Sequence, residues 1–203
     1  MWMMTSLFSQ FLETIYPPLC YGCKREGSLL CPKCLNEAKK SVVSPHPFII
    51  SYYSFKSPLI KRAVHAIKYF HRKDLLTPLG EKLAEEITRQ NLNGTLIPIP
   101  MHPFRQMIRG YNHGDELVKI LASITSLPHT TTALKRTSLL KQQVKTTSRK
   151  ERYKNQHNAF TVVEDVLEKN IILIDDVTTT GATLLEARKV LLHAGAKNVW
   201  AVT

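Results

Sequence analysis

The sequence predicts an α/β protein built on an open parallel sheet, with a small cysteine-bearing unit near its amino end. Three features carry that expectation. Asn170 to Ile174 (NIILI) is unbroken apolar sequence, which suits a central parallel strand covered on both faces. Strand-like and helix-like segments alternate over about 155 residues, the pattern of βα repetition. All four cysteines fall within fifteen residues of one another. A chain of 203 residues holds one ordinary α/β domain and an appendage, but not two large domains. With 43% apolar residues and 11 prolines spread along it, the composition is that of a folded protein.

Leu7, Phe8, Phe11, Leu12 and Ile15 recur at helical spacing and predict a short amphipathic helix packed on the rest of the protein. The same stretch has no basic leader and is interrupted by Ser6, Ser9, Gln10 and Glu13, so it reads as neither a signal peptide nor a membrane span. A reducing, cytoplasmic setting is therefore expected, with peripheral contact at an inner membrane as an extension of it. Cys20, Cys23, Cys31 and Cys34 follow the pattern C-x2-C-x7-C-x2-C. Two such turns can aim four thiolates at one point, the donor set of a closed tetrahedral zinc site. Two disulfides are the rival reading, disfavoured by the expected compartment. With no open coordination position, the zinc should be structural.

A linker rich in Ser and Pro (Ser41 to Pro47) places the boundary near residue 46. Residues 1–46 are then the amino-terminal helix and four-cysteine zinc-binding domain, and residues 47–203 the sheet domain. FIISYYSF reads as a strand, SPLIKRAVHAIKYF as a helix opened by Ser57 and Pro58, and Asp74 to Gln90 as a second helix. Thr95 to Pro100 is a short strand and Asn112 to Ile124 a helix, whereas Leu127 to Lys154 loses apolar periodicity and turns basic. After Asn170 to Ile174 comes a helix from about Ala182 to His193, ended by Gly195, and NVWAVT is the last strand.

The chemistry sits where the apolar strand ends, in Asp175-Asp176-Val-Thr-Thr179-Thr180-Gly181-Ala182-Thr183. Backbone amides, a helix N-terminus and threonine hydroxyls suit a phosphate, and Gly181 lets the backbone approach it. The two carboxylates, one strand-end away, suit sugar hydroxyls. Phosphate on one side and a diol on the other describe a ribose 5-phosphate, bound beyond the carboxyl ends of the strands as ligands are in open α/β sheets. An acidic pair that merely caps the following helix would leave the threonine run unaccounted for.

This segment resembles the phosphoribosyl pyrophosphate (PRPP) motif of type I phosphoribosyltransferases, with four apolar residues, two acids and a Thr-Thr-Gly-x-Thr loop. The resemblance implies the type I phosphoribosyltransferase fold, Asp175 and Asp176 on the ribose hydroxyls, and Thr179 to Thr183 around the 5-phosphate. It also implies magnesium arriving with the ligand, and Lys68 and Arg72 in the place of the pyrophosphate loop. Further pieces are similar to the ComF family of competence proteins, which join cysteine knuckles to a phosphoribosyltransferase-like domain. They are the two C-x2-C pairs, Ile97-Pro98-Ile99-Pro100, Arg105, Arg109-Gly110-Tyr111-Asn112, Arg136-Thr137, and Arg152 and Asn155 before Ala159-Phe160. His113 and Gly114 stand where that family commonly shows Gln-Ala. The family implies a role in natural transformation, alongside DNA-uptake machinery at the inner membrane.

The formal net charge of +12 asks for a polyanionic partner. Lys135, Arg136, Lys141, Lys145, Arg149, Lys150, Arg152 and Lys154, opposed only by Glu151, carry +7 of it. With Arg105 and Arg109 they are the candidate contacts to single-stranded DNA. Aromatic platforms are few there, so little sequence selectivity is expected. The same segment lies where type I phosphoribosyltransferases carry a mobile basic loop that closes over pyrophosphate. A salvage phosphoribosyltransferase for a nucleobase or nucleoside, and a PRPP-sensing regulatory module, remain as alternatives.

Overall fold

The computed structural model describes residues 17–41, 44, 46–137 and 159–203. The expected helix over Leu7 to Ile15 and the greater part of the basic segment lie outside the described residues. In chain order the elements are α1 (Pro32–Glu37), β1 (Ile49–Ile50), α2 (Pro58–Tyr69), a 3-10 turn (Lys73–Leu75), α3 (Leu76–Arg89), β2 (Thr95–Pro98), α4 (Pro103–Arg109), α5 (His113–Thr125), β3 (Leu134–Arg136), β4 (Phe160–Val162), β5 (Asn170–Ile174), α6 (Ala182–His193) and β6 (Asn198–Val202).

Four strands form an open sheet in the order β1-β6-β5-β2, every pair parallel, which is the class the sequence predicts. β5 is central, and its alternating side chains feed two separate cores. Ile172 and Ile174 join the layer of α2, α3 and α5 on one face. Ile171 and Leu173 meet Leu184, Ala187 and Leu191 of α6 on the other. All four of these β5 residues are fully buried, so a run with no polar alternation is what this position demands. Leu30, Leu35 and Ala38 of the cysteine unit belong to the same cluster as α2 and α3, which binds that unit to the sheet domain through a shared apolar core.

Three local expectations are corrected. FIISYYSF is a strand only at Ile49 and Ile50, because β1 sits at the sheet edge and pairs with the last residues of β6. Tyr52 and Tyr53 instead turn toward the cysteine unit, where the Tyr53 hydroxyl donates to the Leu35 carbonyl at 3.1 Å. Pro103–Arg109 forms a helix that no periodicity announced, since none of its residues is buried and no apolar stripe was needed. The stretch whose apolar periodicity is lost contains β3, which pairs antiparallel with β4 as a separate two-stranded sheet.

Candidate ribose-phosphate site

The carboxyl edge of the sheet gathers the acids, the threonine loop and several cations. Asp175 and Asp176 follow β5 directly, and the Asp176 amide donates to Asp175 Oδ1 at 2.9 Å. The chain then runs through Thr178, Thr179 and Thr180 to Gly181, whose φ of 73° lies in the left-handed region that glycine adopts without a Cβ penalty. α6 begins at once, so its first amides face the loop, where they suit an anion. Thr179 and Thr180 are exposed, while Ala182 and Thr183 are half-buried. A cavity of about 450 Å³ opens beside them, with Asp176, Thr178 and Thr179 at its polar edge and Ile60, Val64 and Leu83 among its apolar walls.

Asp176 is held from two sides. Lys68 Nζ lies 2.6 Å and His113 Nε2 3.1 Å from its Oδ2. On the far side of the ring His113 Nδ1 is buried without a hydrogen-bond partner among the described residues. The two acids consequently part in acidity. At Asp176 burial opposes the charged form, but His113 and Lys68 outweigh it and bring the carboxyl down to about 2. At Asp175 burial and the neighbouring Asp176 charge push the carboxyl up to about 8. Near neutral pH the pair therefore holds one proton and one charge, and can both donate to and accept from a diol.

The sign of the Asp175 shift gives a testable stability effect. A carboxyl whose folded pKa is raised contributes stability that is full below its ordinary value near 3.9 and is lost as pH rises through about 8. Asp175→Asn, which keeps the shape without the ionisation, should melt above the parent at about pH 9, and that advantage should shrink by about pH 5. Melting curves at the two pH values measure it, and an advantage independent of pH would contradict the assignment.

The motif around Arg109 to Asn112 explains how Lys68 and His113 arrive. Gly110 is left-handed at φ 69° and ends α4. The Tyr111 hydroxyl donates to the Ile67 carbonyl at 2.6 Å and fixes the last turn of α2, which carries Lys68. Asn112 Oδ1 accepts from the Gly114 amide at 3.0 Å and caps α5, whose first residue is His113. Sequence reasoning marked His113 as a departure from the family pattern without seeing that it faces Asp176. Arg72, also expected near a pyrophosphate, forms a bidentate pair with Asp74, its shortest contact 2.7 Å.

The residues proposed for DNA that fall among the described residues are spread over α4 and β3. Burial draws the Arg136 guanidinium below its ordinary value, the charge of Arg105 adds to that, and Asp175 pulls the other way. Arg136 stacks over Phe160 at 5.4 Å. Arg109 lies over the Tyr69 ring, and Lys135 is exposed on β3. Lys141, Lys145, Arg149, Lys150, Arg152 and Lys154 lie outside the described residues.

The cysteines converge as their spacing predicts. The four Sγ atoms lie within 4.8 Å of one another, none forms a disulfide, and Cys23 and Cys31 are 3.7 Å apart. Zinc–sulfur bonds of about 2.3 Å arranged tetrahedrally require sulfurs about 3.8 Å apart, so the donor set fits a zinc ion. At Cys20 burial works against the thiolate, but hydrogen bonds from the amides of Cys31, Cys23 and Gly22 bring it down to about 6. Gly22 is required for closeness, since a Cβ there would meet Cys34 Sγ at 2.7 Å.

No protein-family model matches the chain. It is 30% identical over 188 residues to competence protein F of Haemophilus influenzae, an alignment covering 90% of this chain and 82% of that one. The chain belongs to the ComF family of competence proteins. Another relative of this ComF protein is the DNA utilization protein YhgH of Escherichia coli, 27% identical over 196 residues, 89% of this chain and 86% of the relative. Among solved structures, the glutamine PRPP amidotransferase of B. subtilis complexed with ADP and GMP is similar at a TM-score of 0.46 and 19% identity, over 68% of this chain and 30% of that one. No helix among the described residues of the ComF chain is long and apolar enough to cross a membrane.

Proposed function

We propose that this chain is a PRPP-binding, phosphoribosyltransferase-like protein that serves natural transformation by handling incoming single-stranded DNA on the cytoplasmic side of the inner membrane. One observation carries the reading. Two adjacent carboxyls close the central strand and lead through a threonine loop into a helix N-terminus, with Lys68 on one of the acids. Asp175 and Asp176 take the ribose hydroxyls, Thr179 to Thr183 the 5-phosphate, and Lys68 is free to pass to the pyrophosphate once a hydroxyl takes its place on Asp176. Magnesium accompanies the pyrophosphate, since oxygen-rich diphosphates chelate it and few protein carboxylates are offered. The zinc unit of residues 1–46 supports the domain of residues 47–203. Where transfer follows binding, the site positions the ribose and stabilises charge as pyrophosphate leaves C1.

The names of the relatives, competence protein and DNA utilization protein, support the DNA side of the reading, as does the net charge of +12. If six cations neutralise phosphates, the logarithm of DNA affinity should fall against log salt with a slope of about −4, at roughly −0.7 per contact. In a transformable strain whose only copy carries Asp175→Ala with Asp176→Ala, transformation frequency should drop to that of the deletion. Undiminished frequency with the variant present at normal level would sink the reading.

A further inference from the structure

Five of the exposed large apolar side chains lie on two adjoining segments. Tyr69 and Phe70 at the end of α2 are 61% and 65% exposed, and Phe104, Met107 and Ile108 of α4 are 60%, 74% and 64% exposed. The segments touch, for Arg109 sits 5.6 Å over the Tyr69 ring and His71 Nε2 is 3.1 Å from the Arg109 carbonyl. A concentration of this kind marks a contact surface, whereas scattered exposed apolar residues do not.

Cations are interleaved with the rings. Lys73 Nζ lies 4.3 Å from the Tyr111 centroid, and Arg72 lies 5.9 Å over Tyr21 of the cysteine unit. His65 contacts both Tyr69 and Phe70, at 4.6 and 5.5 Å. Beside them a cleft of about 410 Å³ runs between the cysteine unit and α2, lined by Tyr21, Lys24, Lys61, Arg62, His65 and Phe70. The band thus extends from the zinc unit, across the end of α2, to α4, which runs through Gly110 and Asn112 into His113 beside Asp176.

Flat apolar faces alternating with positive charge complement a partner that has the same two features at short intervals. Single-stranded nucleic acid has unstacked bases and one phosphate per base. A duplex hides its base faces. We propose that the cysteine unit, the end of α2 and α4 form one track for a single strand, leading to the ribose-phosphate site, with the zinc unit serving as one wall of the cleft. The inference rests on the DNA-handling reading above but assigns the contact to a surface outside the basic segment, and it adds the rings Tyr69, Phe70 and Phe104 as stacking platforms.

The test is anisotropy of a labelled oligothymidylate with the full-length protein. Phe70→Ala combined with Phe104→Ala should weaken binding about tenfold or more, the range for removing stacked bases, with the salt slope unchanged because no charge is removed. Phe70→Leu keeps the bulk without the ring and should weaken binding as Phe70→Ala does, while circular dichroism and zinc content stay those of the parent. An abasic strand of the same length should bind the parent only as well as the intact strand binds the double variant. If the ring variants bind as the parent does while Arg149→Gln with Arg152→Gln weakens binding, the strand runs along the basic segment alone and the track is overturned, with the DNA reading intact. If the parent binds no DNA, the DNA reading itself falls. Unchanged DNA binding with lost adhesion to anionic vesicles would assign the surface to a membrane and also overturn the track.

Discussion

Asp176→Ala is expected to lower PRPP affinity by about ten- to a hundredfold while leaving the protein folded. The residue is the one acid whose charge is secured at neutral pH, since His113 and Lys68 hold it down to about 2 against the effect of burial. A hydrogen bond from a ribose hydroxyl to a charged carboxylate contributes roughly 1.5–3 kcal/mol. The loss also leaves Lys68 without its carboxylate partner beside a site that must still take a diol. Because its partners draw this buried carboxyl down, the substitution should also lower the melting temperature at neutral pH, so the titration is made well below the variant's own melting point. Calorimetric titration checks the affinity, and parental affinity in a folded variant would remove Asp176 from the site. His113→Gln, which restores the residue common in the family, should bind PRPP within a few-fold of the parent if its role is to hold the carboxylate by a hydrogen bond.

Cys31→Ser should release the metal and detach the cysteine unit from the core. Four sulfurs within 4.8 Å of one another repel as thiolates unless a cation sits among them. Without it residues 17–41 keep only a six-residue helix, a few backbone bridges and the contact of Tyr53 with Leu35. Leu30 and Leu35, 3% and 4% exposed, would then leave the cluster they share with α2 and α3. Two such side chains amount to about 3–6 kcal/mol of burial. At about 2–4 °C per kcal/mol for a chain of this size, the melting temperature should fall by about 10 °C. Metal analysis and hydrogen exchange over residues 17–41 provide the readout. A variant free of metal whose amides there stay protected would show that the unit folds without zinc.

What the sequence disclosed depended on how locally each feature is determined. The NIILI strand, the helix Ala182–His193 and the cysteine cluster were legible because burial, helical period and ligand spacing are written in consecutive residues. α4 was not, because a helix that buries nothing carries no apolar period. The β3–β4 pair was hidden because each strand has three residues and its partner lies more than twenty positions away. Lys68 was expected, by resemblance, in the place of the pyrophosphate loop; its contact with Asp176 was not read. That His113 would share the same oxygen could not be read, since the contact joins α5 to the end of β5 across the edge of the sheet. A histidine at the first position of a helix preceded by a capping Asn was the one available hint. The bidentate pair of Arg72 with Asp74, two residues on, was likewise not read from the sequence.

The most direct test of the central claim is calorimetric titration of the purified protein with PRPP and magnesium, set beside ribose 5-phosphate and inorganic pyrophosphate. An acidic pair for the diol, a threonine loop for the 5-phosphate and Lys68 for the pyrophosphate predict micromolar PRPP binding, weaker binding of either half alone, and loss of all but the weakest binding in Asp175→Ala with Asp176→Ala. Failure of the folded, zinc-loaded protein to bind PRPP, or binding undisturbed by removal of both acids, would contradict the account.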